Sequence, residues 1–253
     1  FKTVVIDTLK VGQVHFLYKG NPKLLYAFFE KNKKNLLHAT SGLTQKMELR
    51  GGGIVSLDLV SKTTALPNYY QLNVRFKTAD AMGANFINSC LESLASTFEN
   101  LAAKETFFIE KEASIEIVMS ILSNYVPECL VKASVSCSVD EIEHQEGLSG
   151  KKFAEKIVQA VAIASCETFR AVTHNKGIMN GVDALIIATG NDFRAIEAGV
   201  HAYAARNGQY ESLSKASIID DQFTMELTLP LALGTIGGLT KLHPMVGWSM
   251  ELL

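Results

Sequence analysis

Arg170 and Lys176 lie six residues apart in a stretch rich in amide side chains, and their types suit the binding of an acidic carbonyl compound. A guanidinium can clamp a carboxylate with two parallel hydrogen bonds, whereas a lysine ammonium is a compact charge suited to a developing oxyanion. The pair therefore favours an acid substrate with a reacting carbonyl group. The alternative is an ordinary polar turn interrupted by Gly177 and Gly181. His174 could act as a general base, but a lone histidine beside a turn more often makes a structural hydrogen bond, so we leave it out of the catalytic set.

Asp192 follows a short apolar run and could act together with Lys176. In the functional interpretation, its carboxylate tunes the lysine ammonium and moves protons. Thr189 and Asp192 also have the spacing of a helix capping box, so the aspartate could serve only to cap the helix that follows. The spacing leaves both interpretations open.

The segment from Thr78 to Asn85 lies where a predicted strand passes into a predicted helix. Free N–H groups and the positive dipole end of a helix can hold a pyrophosphate, and Gly83 would let it approach the backbone. One glycine is too few for the GxGxxG fingerprint, which disfavours a Rossmann fold. In the alternative interpretation, Asp80 only caps the helix and Gly83 only permits close packing.

Hydrophobic patterns predict the elements that must position these residues. Helices are predicted over 21–38, 81–103, 149–169 and 194–205, and strands over 54–60, 70–76, 131–139 and 184–188. The first two strands form a hairpin around Pro67 and Asn68. The cationic stretch would be a turn before the last strand. Helices and strands mix without strict alternation, which predicts an α+β fold with a small domain at 10–122 and a larger, helix-rich part at 123–253.

The composition excludes two classes of protein. The 253 residues include 24 Lys and Arg against 26 Asp and Glu, a formal net charge of −2, which argues against a polybasic nucleic-acid binder. No apolar run approaches the ~20 residues that cross a bilayer, so no membrane association is expected. The four cysteines have neither zinc-ribbon nor CxxC spacing, and we expect reduced thiols in a cytoplasmic protein.

Four stretches of the chain resemble 3-hydroxy-3-methylglutaryl-CoA reductase. They are DAMGAN at 80–85, THNKGIMNG at 173–181, IATGNDFRAIEAGVHAYAAR at 187–206 and LPLALGTIGGLTKLHP at 229–244. The glycine triplet at 51–53 fits the bacterial class II branch of that family. The resemblance covers nearly the whole chain and implies a larger substrate-binding domain with a small ferredoxin-like domain that binds the cofactor.

The activity implied by this resemblance is reduction of 3-hydroxy-3-methylglutaryl-CoA through mevaldehyde to mevalonate and free CoA, with two molecules of NADPH or NADH and no metal. It also implies a homodimer with a shared active site. Lys176 would stabilise the oxyanion, with Asp192 as its carboxylate neighbour. The residues that resemble the substrate site are Arg170, Asn180 and Asn124, and those that resemble the dinucleotide site are Asp80, Met82, Gly83 and Asn85.

Two catalytic segments of that family have no counterpart in this sequence. Family members carry a catalytic glutamate upstream of the position where this sequence begins and a catalytic histidine beyond the position where it ends. We therefore expect the sequence to be the middle of a longer enzyme. Neither His201 nor His243 is assigned the missing role.

The cofactor preference and the direction of the reaction are separate questions. Where some NADH-dependent relatives carry an acidic residue for the adenosine ribose, this chain has Ser56, with Asp58 two residues later. A carboxylate there would repel a 2′-phosphate, so its absence favours NADPH. Two alternatives stay open: the same chemistry run oxidatively in mevalonate catabolism, and a binding-only fragment without turnover.

Overall fold

The computed structural model describes residues 1–110, 114–142, 147–237 and 243–252, which form two compact units. One unit comprises Leu9–Ser123, and the other comprises Phe1–Thr8 with Asn124–Leu253. As far as these ranges describe it, each unit has one antiparallel four-stranded sheet combined with helices. The α+β class predicted from the sequence is therefore confirmed.

In chain order, the described elements are β1 (Lys2–Val5), β2 (Lys10–Tyr18), α1 (Pro22–Ala39), α2 (Ser41–Glu48), β3 (Gly53–Ser61), β4 (Tyr69–Lys77), α3 (Ala84–Ala102), α4 (Thr106–Glu110), β5 (Ile115–Leu122), β6 (Leu130–Ser138), α5 (Gly150–Cys166), α6 (Thr168–Ala188), α7 (Phe193–Ala204), β7 (Ser214–Ile219), β8 (Gln222–Pro230) and α8 (Pro244–Glu251). A short 3-10 helix spans Val139–Glu141. No helix in the described ranges is both long enough and apolar enough to cross a membrane.

The unit Leu9–Ser123 has the ferredoxin-like topology. Its principal elements follow the order β-α-β-β-α-β, and its strands lie in the order β3-β4-β2-β5. β3 and β4 form the predicted hairpin, with Leu57 opposite Val74. Alternate residues of β4 face a core shared with α1 and α3, where Leu72 and Phe76 are fully buried. Because of this two-residue period, the hairpin could be predicted from the sequence.

Local capping residues determine where α1 begins. The side chain of Asn21 accepts a hydrogen bond from the N–H of Lys23 at 2.9 Å, and Pro22 occupies the first helical position. Leu25, Phe28 and other apolar residues at helical spacing then face the core. The helix predicted over 21–38 is confirmed.

The second unit has the strand order β1-β6-β8-β7, and α5 packs against β7. The helix predicted over 149–169 is corrected, because α5 ends at Cys166. Glu167 takes an extended conformation there, and its carboxylate accepts hydrogen bonds from the N–H groups of Phe169 and Arg170. Glu167 thus caps a new helix, α6, and the chain changes direction at this residue.

The strand predicted over 184–188 is wrong, because these residues form the last turns of α6. Within the apolar run only Ile186 is buried, whereas Leu185 and Ile187 are more than half exposed. Thr189 ends the helix, and its hydroxyl donates to the carbonyl of Leu185 at 2.8 Å. A short apolar run is compatible with either type of element, and here the helix continues through it.

Candidate functional site

α6 carries three of the predicted site residues on one helix. The turn predicted around Arg170 and Lys176 is wrong, since Thr168–Ala188 is continuous helix. Lys176 and Asn180 are four residues apart and therefore neighbours on one face, with their Cβ atoms about 6 Å apart. Arg170 lies about 9 Å from Lys176 along the axis and about 120° around it. All three side chains are exposed. The helix thus presents an ammonium and an amide one turn apart.

Asn175 and His174 anchor α6 and so determine which side of it faces outward. Asn175 is fully buried, and its amide donates to the carbonyl of Glu211 at 2.8 Å while its oxygen accepts from the N–H of Leu213 at 3.0 Å. His174 Nε2 lies 2.7 Å from Ser214 Oγ, which confirms the expected structural hydrogen bond. Because Lys176 follows these anchors directly, its direction is fixed by them.

Burial and a neighbouring charge both favour the neutral form of His174. Burial lowers the pKa of His174 from its ordinary value of 6.5, and the positive charge of Arg170 lowers that pKa further. A neutral imidazole can exchange a hydrogen bond with the Ser214 hydroxyl without burying a charge.

Asp192 caps α7, as one of the two interpretations predicted. Its Oδ1 accepts hydrogen bonds from the N–H groups of Arg194 at 3.1 Å and Ala195 at 3.2 Å. The capping box is wrong in detail, because Thr189 ends α6 and Asp192 itself is the N-cap. The side chain of Asp192 remains 53% exposed. Capping therefore fixes the carboxylate while leaving it accessible.

Asn124 lies against α7 through its backbone. A Cβ at Gly199 would lie 2.5 Å from the Asn124 carbonyl oxygen, so glycine is required on the helix at this point. The Asn124 side chain is exposed. His201, on the same helix, contacts Tyr210 through a 2.7 Å hydrogen bond. His243 is the N-cap residue of α8, whereas the preceding motif residues 238–242 lie outside the described part of the chain.

Asn175 and Asn191 are structural anchors that the sequence interpretation missed. Asn175 lies among apolar positions of a helix and is completely buried, which is unusual for an amide unless both of its polar atoms are satisfied. Asn191, between Thr189 and Asp192, is hydrogen-bonded to the backbone of Gly234. The available signal for Asn175 was its spacing of four residues from the apolar Ala171 and Met179, both of which are buried.

In the other unit, the predicted dinucleotide segment forms a bend that opens α3. The helix begins at Ala84 instead of near residue 81, and its N-cap is Gly83, with a φ of +88° and no side-chain cap. Asp80 is not the N-cap of α3, since Gly83 holds that position without a side-chain cap; the Asp80 carboxylate is exposed and lies 4.0 Å from the Arg50 guanidinium. The first helical hydrogen bond runs from the N–H of Ile87 to the carbonyl of Gly83. The N–H groups before Ile87 belong to the first helical turn, where anions bind.

Gly83 cannot be replaced without displacing its surroundings. Its φ lies in the left-handed region, and a Cβ there would sit 2.5 Å from Thr78 Cγ2. Met82 is partly buried, and Asn85 is exposed at the second helical position. An uncapped helix terminus whose N-cap lacks a side chain fits a phosphate-bearing ligand that approaches the backbone.

Ser56 lies beside a cation in the same unit. Its Oγ is buried without a hydrogen-bond partner in the described residues, and its cross-strand neighbour on β4 is Arg75. Asp58, two residues on, lies 3.6 Å from Lys33. Among the described residues, no group of three or more His, Cys, Asp or Glu side chains could hold a metal ion.

Known proteins resemble this chain over most or all of its length. The family model of hydroxymethylglutaryl-coenzyme A reductase matches residues 1–253. A 3-hydroxy-3-methylglutaryl-coenzyme A reductase of Archaeoglobus fulgidus is 33% identical over 100% of this chain and 54% of its own length. A probable reductase of the same name from Borreliella burgdorferi is 38% identical over 79% of this chain and 43% of its own length. The chain therefore spans about half the length of these curated relatives.

Solved structures of the Streptococcus pneumoniae reductase have a similar fold. One matches with a TM-score of 0.85 and 36% identity, over 99% of this chain and 57% of its own. Another, with the same TM-score and identity, is the class II enzyme bound to NADPH in open conformations.

Proposed function

The chain belongs to the hydroxymethylglutaryl-coenzyme A reductase family, and on this basis we propose that its protein reduces 3-hydroxy-3-methylglutaryl-CoA to mevalonate and CoA with two NAD(P)H. The observation that carries the proposal is α6. This helix keeps Lys176 and Asn180 exposed one turn apart, in a segment of the chain that resembles the substrate site of the family.

In this proposal, Lys176 stabilises the oxygen of the thioester carbonyl during reduction. As hydride adds to the carbonyl carbon, negative charge develops on the oxygen, and an ammonium at hydrogen-bonding distance stabilises it. Asn180 can donate a further hydrogen bond from the same face of α6. Arg170, at the start of the helix, binds the free carboxylate of the acyl group, for which its guanidinium is suited.

Asp192 completes the proposed set on the substrate side. Because its Oδ1 is held by two backbone N–H groups, the carboxylate has a fixed position at the start of α7. The family resemblance makes it the carboxylate neighbour of Lys176 and gives it a part in proton transfer. In this structure twelve residues of α6, about 18 Å of helix axis, separate Lys176 from Ala188 at the end of that helix. Asn124 contributes to the same pocket.

The bend before α3 is the proposed nicotinamide-dinucleotide site. When bound, a nicotinamide dinucleotide supplies the hydride. Gly83 admits its phosphates to the backbone N–H groups of the first turn, and Asn85 offers an exposed amide there. In the proposal, Met82 and Asp80 lie on either side of the path by which the dinucleotide reaches the first turn of α3. The fit rests on the N-cap of α3, where Gly83 has a φ of +88° and no side chain caps the helix.

NADPH is the proposed nucleotide of the two. Ser56 places a hydroxyl where a carboxylate would repel a 2′-phosphate, and Arg75 lies directly opposite in the strand register. A guanidinium near the adenosine ribose accommodates such a phosphate. The same argument predicts that Arg75→Gln weakens NADPH more than NADH, which lacks the 2′-phosphate.

A homodimer in the cytoplasm is also part of the proposal. On α6, apolar side chains are exposed: Phe169 to 87%, and Val172, Leu185 and Ile187 each by more than half. Exposed apolar groups at this density along one helix indicate a surface that another part of the assembly covers. Light scattering at several concentrations tests the oligomeric state.

A rate assay tests the proposed activity. The natural gene product that carries this chain is incubated with 3-hydroxy-3-methylglutaryl-CoA and with NADPH or NADH separately, and nicotinamide oxidation is followed. Substrate-dependent oxidation, faster with NADPH at low concentration, supports the proposal. Turnover only from mevalonate and CoA with an oxidised nicotinamide supports the catabolic direction. Tight binding of both ligands without turnover supports a binding-only role.

A further inference from the structure

Lys10 is a buried cation directly beneath the bend that opens α3. Its residue is only 5% exposed, although lysine is almost never buried without partners. Among its contacts, Nζ donates to Thr78 Oγ1 at 2.6 Å and to the carbonyl of Ala81 at 3.4 Å. The ammonium of the first residue of β2 thus reaches both ends of a bend more than sixty residues away in sequence.

Thr78 connects this ammonium to the glycine at the helix terminus. It is 1% exposed, and its hydroxyl accepts from Lys10 while donating to the carbonyl of Ala81 at 2.6 Å. The backbone closes the same bend, with the N–H of Ala81 donating to the carbonyl of Thr78 at 3.0 Å. The methyl group of Thr78 lies against Gly83. One side chain therefore joins the buried charge to the N-cap of α3.

The backbone of this bend takes a conformation that its residues do not prefer. Ala79 has a φ of +47°, in the left-handed region that non-glycine residues rarely adopt. Such conformations persist only where surrounding contacts over-determine them. The bridge from Lys10 through Thr78 to Ala81 supplies contacts of this kind on both sides of Ala79.

We propose that Lys10 is a positioning residue of the nicotinamide-dinucleotide site, fixing the bend from Thr78 to Gly83 so that the first turn of α3 is held open towards the ligand. This inference rests on the proposed function, since it assumes that the bend binds the dinucleotide. Lys10 itself is buried beneath the bend, so its effect is exerted through Thr78 and the backbone. It differs in this respect from Gly83 and Asn85, which would contact the ligand.

Matched variants separate positioning from general stability. Lys10→Met keeps most of the stem and removes the ammonium, and Thr78→Val keeps the shape and removes the hydroxyl. Thr78→Ser keeps the hydroxyl and serves as the conservative control. NADPH and 3-hydroxy-3-methylglutaryl-CoA are titrated separately against each full-length protein by calorimetry, and each melting temperature is recorded.

We expect Lys10→Met and Thr78→Val each to weaken NADPH binding about tenfold, the typical effect of losing a hydrogen bond that involves a charged group. Thr78→Ser should bind NADPH nearly as the wild type does. The double variant should be little weaker than either single one, because both changes break the same bridge. Acyl-CoA affinity should stay unchanged in every variant.

Other outcomes have distinct meanings. If the wild type binds NADPH and both single variants bind it equally well, the role of Lys10 is overturned and the proposed function stands. If affinity for both ligands and the melting temperature fall together, Lys10 only supports folding and the inference is also overturned. A wild type that binds no dinucleotide overturns the proposed function itself. Should Lys10→Met not fold, Thr78→Val decides the same question.

Discussion

Asn191, in the turn between α6 and α7, exchanges two hydrogen bonds with the backbone of Gly234, which follows β8. The Gly234 N–H donates to Asn191 Oδ1 at 2.9 Å, and Asn191 Nδ2 donates to the Gly234 carbonyl at 3.2 Å. Asn191 precedes Asp192, so this exchange ties the start of α7 to the chain that leaves β8. The segments 189–192 and 231–234, far apart in sequence, are thereby held together.

Asn191→Ala should destabilise the protein by about 1 to 3 kcal/mol, because it leaves two partly buried backbone groups of Gly234 without their partner. Urea unfolding measures the change. Asn207→Ala is the matched control, since Asn207 is exposed, and its cost should stay within about 0.5 kcal/mol. Equal costs for the two variants would show that the exchange contributes nothing specific.

Lys176→Met should lower turnover about 100- to 1,000-fold, the usual effect of losing one oxyanion donor, with the melting temperature unchanged because the side chain is exposed. Steady-state rates on the full gene product measure it. Lys156→Met, an exposed lysine of α5, is the control and should retain full activity. Turnover within a few-fold of wild type would remove Lys176 from the catalytic set.

Gly83→Ala should weaken NADPH binding and cost stability, because the new methyl group meets Thr78 and the residue is forced to keep a φ of +88°. Gly42→Ala, in α2 of the same unit, meets nothing within 4 Å and should be neutral or stabilising by up to about 1 kcal/mol. Calorimetric titration and thermal melting measure both effects. Unaltered nicotinamide binding in Gly83→Ala would leave α3 without a ligand role.

The stability of the protein should fall on acidification in a window below pH 6.5, the ordinary pKa of histidine, because burial lowers the folded-state pKa of His174. Between that lowered pKa and 6.5, the unfolded chain binds more protons than the folded chain. The contribution of His174 to the free energy of unfolding is therefore fully present above this window and is lost as the pH falls through it.

His174→Gln removes this contribution and should flatten the dependence of unfolding free energy on pH. Burial also lowers the pKa of His15, which therefore makes its own contribution to the pH dependence of stability. A His15→Gln/His174→Gln variant should show the weakest dependence of unfolding free energy on pH. Urea titrations across the acidic range provide the comparison. A slope identical to that of the wild type in His174→Gln would mean that this imidazole is equally basic in both states.

Periodic elements were predictable from the sequence where one face of each element is buried. β4 alternates because its odd and even residues face different environments, and α1 carries its own start signal in Asn21 and Pro22. The strand predicted over 131–139 is confirmed as β6. These are local rules, which need no knowledge of the distant chain.

α6 was not predictable in this way because distant contacts decide it. Its glycines, Gly177 and Gly181, suggested a turn, yet both lie inside the continuous helix Thr168–Ala188. The buried amide of Asn175 holds the helix to residues 211–213, which no local pattern reveals. Lys10 was missed for the same reason, since its partner Thr78 is brought near only by strand pairing.

The stoichiometry of the reaction tests the central claim most directly. With the full gene product, 3-hydroxy-3-methylglutaryl-CoA and excess NADPH, the amount of nicotinamide oxidised is compared with the free CoA thiol released. Reduction of the thioester to the alcohol requires two hydrides, so the account predicts two NADPH oxidised for each thiol. Thiol release without NADPH oxidation, or one NADPH for each thiol, would contradict it.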